Sequence, residues 1–281
     1  MLNPIEQQIK AKIEKYGIPL KEWDISIYRG VLTGFNEAFI IDGQTKDKLI
    51  AEDPKSAEII RPILRGRDIK KYSYEFADKY LIATFPSKQY RIENFPAVKR
   101  FLSGFRPKID QVGRKLHKEE KEKILNHAQQ YGIDISMNML SSSRKYTRNQ
   151  WFETQDSISY WEDFFKPKIM YSEIVKDSQF YFDNHGYFFP EATTFIMTGD
   201  GVEKLQHILN SKCMTYIFKT FYAGGGLGAD GFRYKKTFIQ NLPIPSSIKT
   251  LSVSIQTIDN ILFSLYHFNK EEITFIINEL I

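Results

Sequence analysis

Between Lys166 and Gly199 the chain carries three runs in quick succession, KPKIMYSEIV, SQFYFDNHGYFFP and TTFIMTG, each rich in aromatic and β-branched side chains. Such residues fit a half-buried pleated surface better than a helix interior. Asn184, His185 and Gly186 break the middle run with turn-forming residues. The pattern predicts an antiparallel sheet in the middle of the chain, whose apolar faces the remaining segments must cover.

Helical signals lie on both sides of that sheet. Residues Pro4 to Tyr16 place Ile5, Ile9, Ile13 and Tyr16 on one face, with Gly17 ending the helix. The stretch GVEKLQHILNSKCMTYIFKTF reads as two helical pieces meeting near Asn210 and Ser211. From Ser246 onward Ile248, Leu251, Ile255, Ile258, Leu262 and Leu265 recur at helical spacing, and Asn269 to Glu272 forms a capping box for a last helix through Leu280.

Ahead of the sheet, Ile25 to Val31 and Ala38 to Ile41 predict two strands around a turn carrying Gly34 and Asn36. Asp53 and Pro54 open a helix that continues through Ile59, Ile60, Ile63 and Leu64, shortened or kinked by Pro62. YLIATF predicts a strand and NFPAVKRFLSGF a short helix ended by Gly104. DQVGRKLHKEEKEKILNHAQQYG is helical but highly charged, with few apolar positions before Ile124, which predicts a helix projecting from the surface. The fold class is α+β: a sheet-rich core over 25–245 with a charged helical insertion at about 106–131, flanked by an N-terminal helical segment (1–24) and a C-terminal helical segment (246–281) packing on the core.

With 281 residues, 42% hydrophobic and 26% charged, the composition is that of a globular protein able to bury a core of its own. The single cysteine, Cys213, excludes an internal disulfide framework and any multi-cysteine zinc site, so a reducing, cytoplasmic compartment is expected. The N-terminus alternates charge with isoleucine, unlike a signal peptide, and no run approaches the roughly 18 apolar residues of a spanning helix, so no membrane partner is expected. The net charge of +5 permits a polyanionic partner. Its distribution says more: Arg65 and Arg67, then SSSRKYTRNQW, then Arg233, Lys235 and Lys236 form basic clusters, each interleaved with aromatic residues. Cations neutralise phosphates while aromatic and guanidinium planes pack on sugars and bases.

Catalytic motifs fare poorly. AGGGLGADGFRYKK contains Gly226, Gly228 and Gly231 at the spacing of a dinucleotide-binding turn. That turn must open a helix and be followed by an acidic residue about 20 positions on. Pro243 comes too soon for a full helix, and no Asp or Glu lies between Gly231 and Asp259. A Mg-dependent nuclease could be assembled from Asp110, Glu119 and Lys121, but that chemistry wants a β-strand and these residues sit in a charged helical run. His117, His127, His185, His207 and His267 lack metal-ligand spacing, and Ser141 to Ser143 lack a nucleophile-elbow setting. Neither a glycine turn for S-adenosylmethionine nor an Asn/Asp-Pro-Pro-Tyr segment is present.

Taken together, YRGVLTGFNEAFIID (Tyr28 to Asp42), DPKSAEIIRPILRGRDIKKY (Asp53 to Tyr72), WFET, KPKIMYSEI, FFPEATTFIMTG, LQHILNSKCMTYIF and GFRYKKTFIQNLPIP form an ordered series. The series resembles the C-terminal specificity, or target-recognition, region of TaqI- and Eco57I-like restriction-modification enzymes and adenine-specific DNA methyltransferases. The resemblance implies a module that reads a short double-stranded DNA sequence for a separate methyltransferase part, in the same parent chain or another subunit, with or without an accompanying endonuclease. It implies no catalytic residue, cofactor or metal site in this chain; S-adenosylmethionine, and Mg for any nuclease, would belong to the catalytic part. It also implies helices beside the recognition core, similar to those of type I specificity subunits, at Pro4 to Tyr16 and Ser246 to Leu280.

For such a module the expected backbone contacts are Lys145, Lys235 and Lys236, and the expected base or groove contacts are Arg144, Arg148, Asn149 and Arg233, with Tyr146 and Tyr234 as packing partners. Gly224, Gly225, Gly226, Gly228 and Gly231 would let the backbone approach DNA closely. Arg65 and Arg67 are read as structural, pairing with Asp68 or Glu58, and Thr33, Gly34 and Asn36 as fixing a turn. The competing classes are a self-sufficient nuclease and a protein-interaction scaffold docking through its terminal helices.

Overall fold

The three aromatic-rich runs form strands, and they build the wall around which the protein is organised. A computed structural model describes residues 2–228 and 231–280. Eight strands make the two larger sheets: β1 (Ile25–Arg29), β2 (Ile40–Asp42), β3 (Ile60–Leu64), β4 (Lys79–Ile82), β5 (Lys168–Ser172), β6 (Phe180–Asp183), β7 (Phe189–Pro190) and β8 (Thr194–Gly199). The first sheet runs β6-β5-β8-β1 and is antiparallel throughout, with Met170 opposite both Tyr181 and Ile196, and Phe195 opposite Arg29. In the second sheet, β7-β3-β4-β2, the β7–β3 pair is parallel and the others antiparallel.

Side chains alternate across a strand, so each strand of the first sheet serves two sides at once. Met170 and Ile196 enter one core, which also takes the second sheet, Phe101, Phe105 and Phe164. Ile169, Tyr171, Phe195 and Met197 enter the other. That second core collects α1 (Pro4–Tyr16) from one end of the chain together with the helices that follow the sheet, including α7 (Ile258–Leu265) and α8 (Lys270–Asn278) from the other. Ile9 and Ile13 of α1 are fully buried, each contributing about 1.5–3 kcal/mol of burial. Asn3 and Glu6 close a capping box at its start, and Lys12 reaches Glu272 of α8 at 2.6 Å, tying the two chain ends together. The other expected features at this end are present: α5 (Val202–Leu209) and α6 (Lys212–Ile217) break at Ser211, whose Oγ accepts from Met214 N, and Asn269 with Glu272 forms the capping box of α8.

Four expectations need correction. The two strands expected between Ile25 and Ile41 form but are not neighbours: β1 and β2 belong to different sheets, and Asn36–Phe39, where the second was expected to begin, is one turn of helix with Ala38 and Phe39 both buried. The helix expected after Asp53 lasts only through the 3-10 turn Pro54–Glu58, which Asp53 caps; the apolar run behind it is β3. A central strand buried on both faces shows no alternation, so its run reads equally well as a buried helix. The charged helix α4 (Lys118–Gln129) does not project, because Ile124 and Ala128 are buried in the first core and the His127 ring packs against Phe105. Lastly, Ser246 to Leu265 is not one helix: Ser246–Thr250 is a 3-10 turn, Ile255 is 53% exposed, and only Ile258–Leu265 is α-helical.

Candidate nucleic-acid interface

Loops at the ends of both sheets converge on a recess of about 450 Å³. Behind β3, Arg65 locks its guanidinium onto Asp68 in a two-pronged pair, Nε–Oδ2 2.8 Å and Nη2–Oδ1 2.7 Å, so the expected structural role of Arg65 holds. Arg67, two residues on, is exposed, lines the recess and has no partner for its guanidinium among the described residues. Between β7 and β8, the buried Glu191 accepts from Thr193 N at 2.9 Å and Thr193 Oγ1 at 2.6 Å, and from Asn36 Nδ2 at 3.3 Å. Thr33 donates to Asn36 Oδ1 at 2.7 Å and accepts from Phe35 N, which fixes the turn at Gly34 (φ +80°). Beyond β5, Glu173 sits on the wall of the recess with its N–H donating to Thr193 O at 3.1 Å.

Arg233 lies beside this recess, next to Glu173. The two-residue strand Phe232–Arg233 pairs antiparallel with Ile174–Val175, which brings the Arg233 guanidinium to 3.9 Å from Glu173. The glycine loop leads into that strand; its residues Ala229 and Asp230 lie outside the described residues. Gly231 has φ +102°, and a Cβ there would stand 2.4 Å from Val175 O, so the fold itself requires glycine at this point. Gly225 and Gly228 face open space, Gly226 lies at ordinary contact from Phe232, and Gly224 packs over Phe238. The half-exposed Lys235 stands at the start of the helical turn Lys236–Ile239 without a side-chain cap bond, and Lys236 Nζ donates to Ile27 O at 3.0 Å.

Two expected DNA contacts are corrected by burial. Arg144 is 2% exposed and spends its fork on three carbonyls: Ile109 O at 2.8 Å, Thr33 O at 2.6 Å and Trp151 O at 2.8 Å. Its guanidinium also lies over the Phe39 ring, and burial pushes its pKa down. It is an internal pin between three loops. Tyr234 is also 2% exposed, stacked on Phe218 at 4.0 Å with its hydroxyl against Ser178 Oγ, and burial pushes its pKa up. A sequence window counts both as members of a basic-aromatic cluster, whereas the fold turns these two side chains inward and leaves neighbours of each outside. Accordingly Lys145, Tyr146 and Arg148 are exposed, while Asn149 turns its amide onto Thr154 O and Gln155 O and stiffens the loop.

The 144–149 loop and the Arg233 strand pack on different cores, yet a line of contacts joins them. Gln155 donates to Lys145 O at 3.5 Å and packs on Gly34; Asn36 holds Glu191; Glu191 holds Thr193; and Thr193 leads through Glu173 to Arg233. The recess sits between the two basic clusters. Its wall residues come from four separate segments, at 36, 65–67, 172–174 and 191–193, so no window of the sequence joins them. Arg67, expected like Arg65 to pair with Asp68 or Glu58, does neither: Arg65 engages both oxygens of Asp68.

The residues weighed for a nuclease do not converge. Asp110 is held by Arg106 at 2.7 Å, and Glu119 is exposed in the first turn of α4. Beside it, Arg114 draws Glu120 down to about 2. Among the described residues no group of His, Cys, Asp and Glu is arranged to hold a metal, and no helix is long and apolar enough to cross a membrane.

Residues 61–244 match a family model described as the TaqI-like C-terminal specificity domain. Two solved structures are similar over most of the chain. One is the type IIL restriction-modification enzyme MmeI in complex with DNA, at 10% identity and a TM-score of 0.52, covering 92% of this chain and 35% of that one. The other is the type IIG restriction endonuclease BpuSI, at 14% identity and a TM-score of 0.48, covering 93% of this chain and 27% of that one. The chain thus spans about a third or less of either enzyme. No curated protein matches it in sequence.

Proposed function

This chain belongs to the TaqI-like C-terminal specificity domain family, and on that premise we propose that it is the duplex-DNA recognition module of a restriction-modification enzyme. The observation that carries this reading is the line of contacts from Lys145 through the recess to Arg233. A duplex laid along that line meets cations at both ends, the exposed Lys145 and Arg148 on one side and the half-exposed Arg233 on the other. Between them it meets a polar recess able to address base edges. Phosphate contacts position a protein on DNA without reading sequence, and groups between them supply the reading.

The chemistry on DNA we assign to a methyltransferase part outside these residues, in the same parent chain or a partner subunit, that uses S-adenosylmethionine on the amino group of adenine. No Asn/Asp-Pro-Pro-Tyr segment for that chemistry occurs in this sequence. The test is binding of randomised and fixed duplexes by the purified chain across a salt series, with and without Mg²⁺. Salt-dependent binding without cleavage supports the proposal; cleavage supports a nuclease; binding that ignores salt, or none at any salt, removes the recognition role.

A further inference from the structure

The recess between the two basic clusters differs from them in chemistry. Its walls bring two carboxylates, Glu173 and Glu191, together with the guanidinium groups of Arg65 and Arg67 and the amide of Asn36. With Arg65 neutralised by Asp68, the single cation Arg67 faces two carboxylates, so the recess offers a phosphate no net positive charge. A base edge, which is neutral and offers both donors and acceptors, needs none. The recess is therefore matched to bases and the flanking loops to backbone.

Within the recess most polar groups are already committed. Arg65 is spent on Asp68, and Glu191 on Asn36 and Thr193. Two groups remain available. Among the described residues Arg67 has no partner for its fork, and Glu173 holds Arg233 only at 3.9 Å, too far for a hydrogen bond. Both project from short, well-anchored loops: Gly66 N donates to Thr193 Oγ1 at 3.0 Å beside Arg67, and the Glu173 backbone is bonded to Thr193 O and Tyr234 N on either side.

We propose that this recess is the base-reading site, with Arg67 donating in two-pronged fashion to O6 and N7 of a guanine in the major groove and Glu173 accepting from the exocyclic amino group of a cytosine or adenine. The assignment rests on the recognition role above and adds which residues carry it. Glu191 is the positioning residue: it holds Asn36 and Thr193, and through Thr193 the loop that bears Arg67.

The test is selection of a preferred sequence from a randomised duplex library by the wild-type chain, then by Arg67→Ala and Glu173→Gln. Binding is also measured to the selected duplex with each guanine in turn replaced by 7-deazaguanine. Arg67→Ala is expected to lose preference at one guanine by about 5- to 150-fold while other positions keep theirs, and 7-deazaguanine at that position to weaken wild type but not the variant. Glu173→Gln is expected to relax one amino-bearing base. Thermal melting of both variants should match wild type, since both side chains are on the surface of the recess. If wild type selects a sequence and Arg67→Ala selects the same one with equal stringency, the base-reading site is overturned while the recognition role stands. A uniform loss on all duplexes with a shallower salt dependence makes Arg67 a phosphate contact and also overturns it. Should wild type bind no duplex, both fall together.

Discussion

Lys168 and Asp183 face each other across β5 and β6 as a buried ion pair, Nζ to Oδ2 2.7 Å, with side-chain exposures of 0% and 3%. The lysine also donates to Phe164 O, and the carboxylate accepts from Phe188 N and Tyr187 N, so the loop after β6 is gathered onto the pair. Burial lowers the Lys168 pKa, and Asp183 offsets part of that shift. Removing the lysine strands a charge in the protein interior. Lys168→Met is expected to cost about 3–5 kcal/mol, read as a drop in urea midpoint at unchanged slope. A loss under about 1 kcal/mol, the range of exposed pairs, would show that water reaches the pair.

Arg144 and Lys145 are adjacent and should behave oppositely. Arg144→Met leaves three buried carbonyls without donors, and a destabilisation on the order of 3–5 kcal/mol is expected from losing a charged group in that position. Lys145→Ala should change stability by no more than about 0.5 kcal/mol. Its signature lies in DNA binding: the slope of log affinity against log salt should shrink by about 1, equally for all duplexes. A normal slope in Lys145→Ala would take this loop off the DNA.

His127 gives the fold a pH dependence with a definite sign. Burial lowers its pKa, partly opposed by its hydrogen bond to Phe101 O at 2.8 Å. With the folded value below the unfolded value of about 6.5, the unfolded chain takes up a proton more readily as pH falls through that value. Stability is therefore fully present above about pH 6.5 and is lost toward the lower folded value. Denaturant midpoints of wild type and His127→Gln at pH 7.5 and 5.5 should show the smaller pH effect in the variant; equal effects would mean that His127 carries none of it.

Two glycines of one loop separate conformational need from simple openness. Gly231→Ala places a methyl against Val175 O in a left-handed conformation and should cost about 1–3 kcal/mol. Gly226→Ala has its nearest neighbour at 3.6 Å and no positive φ, so it should be close to neutral. Thermal melting of the two variants makes the comparison, and matching melting temperatures would contradict the pairing of Phe232–Arg233 with Ile174–Val175.

Local signals in the sequence reached the elements whose determinants are local. The capping pairs Asn269–Glu272 and Asp53–Pro54, the break at Ser211 and the aromatic strands all depend on residues within a few positions of one another. Ile60 to Leu64 failed because a strand covered on both sides carries no period, and only its partners β4 and β7 define it. The recess was illegible for a related reason. Asn36, Arg67, Glu173, Glu191 and Arg233 are distant in sequence and meet through pairing across both sheets. Arg144 and Tyr234 were misplaced because residue type shows charge and aromaticity but not which way a side chain turns.

The first sheet, with one core on each side, separates what can vary from what cannot. Adding or deleting one residue inside β8 would exchange Ile196 with its neighbours and disrupt both cores in a single step. Arg67, Glu173 and Thr193 lie just outside the strand ends, where no core depends on them. Point substitutions at the recess can thus change its chemistry while the scaffold stays fixed, and, if the recess reads bases as proposed, they change the target without changing the architecture.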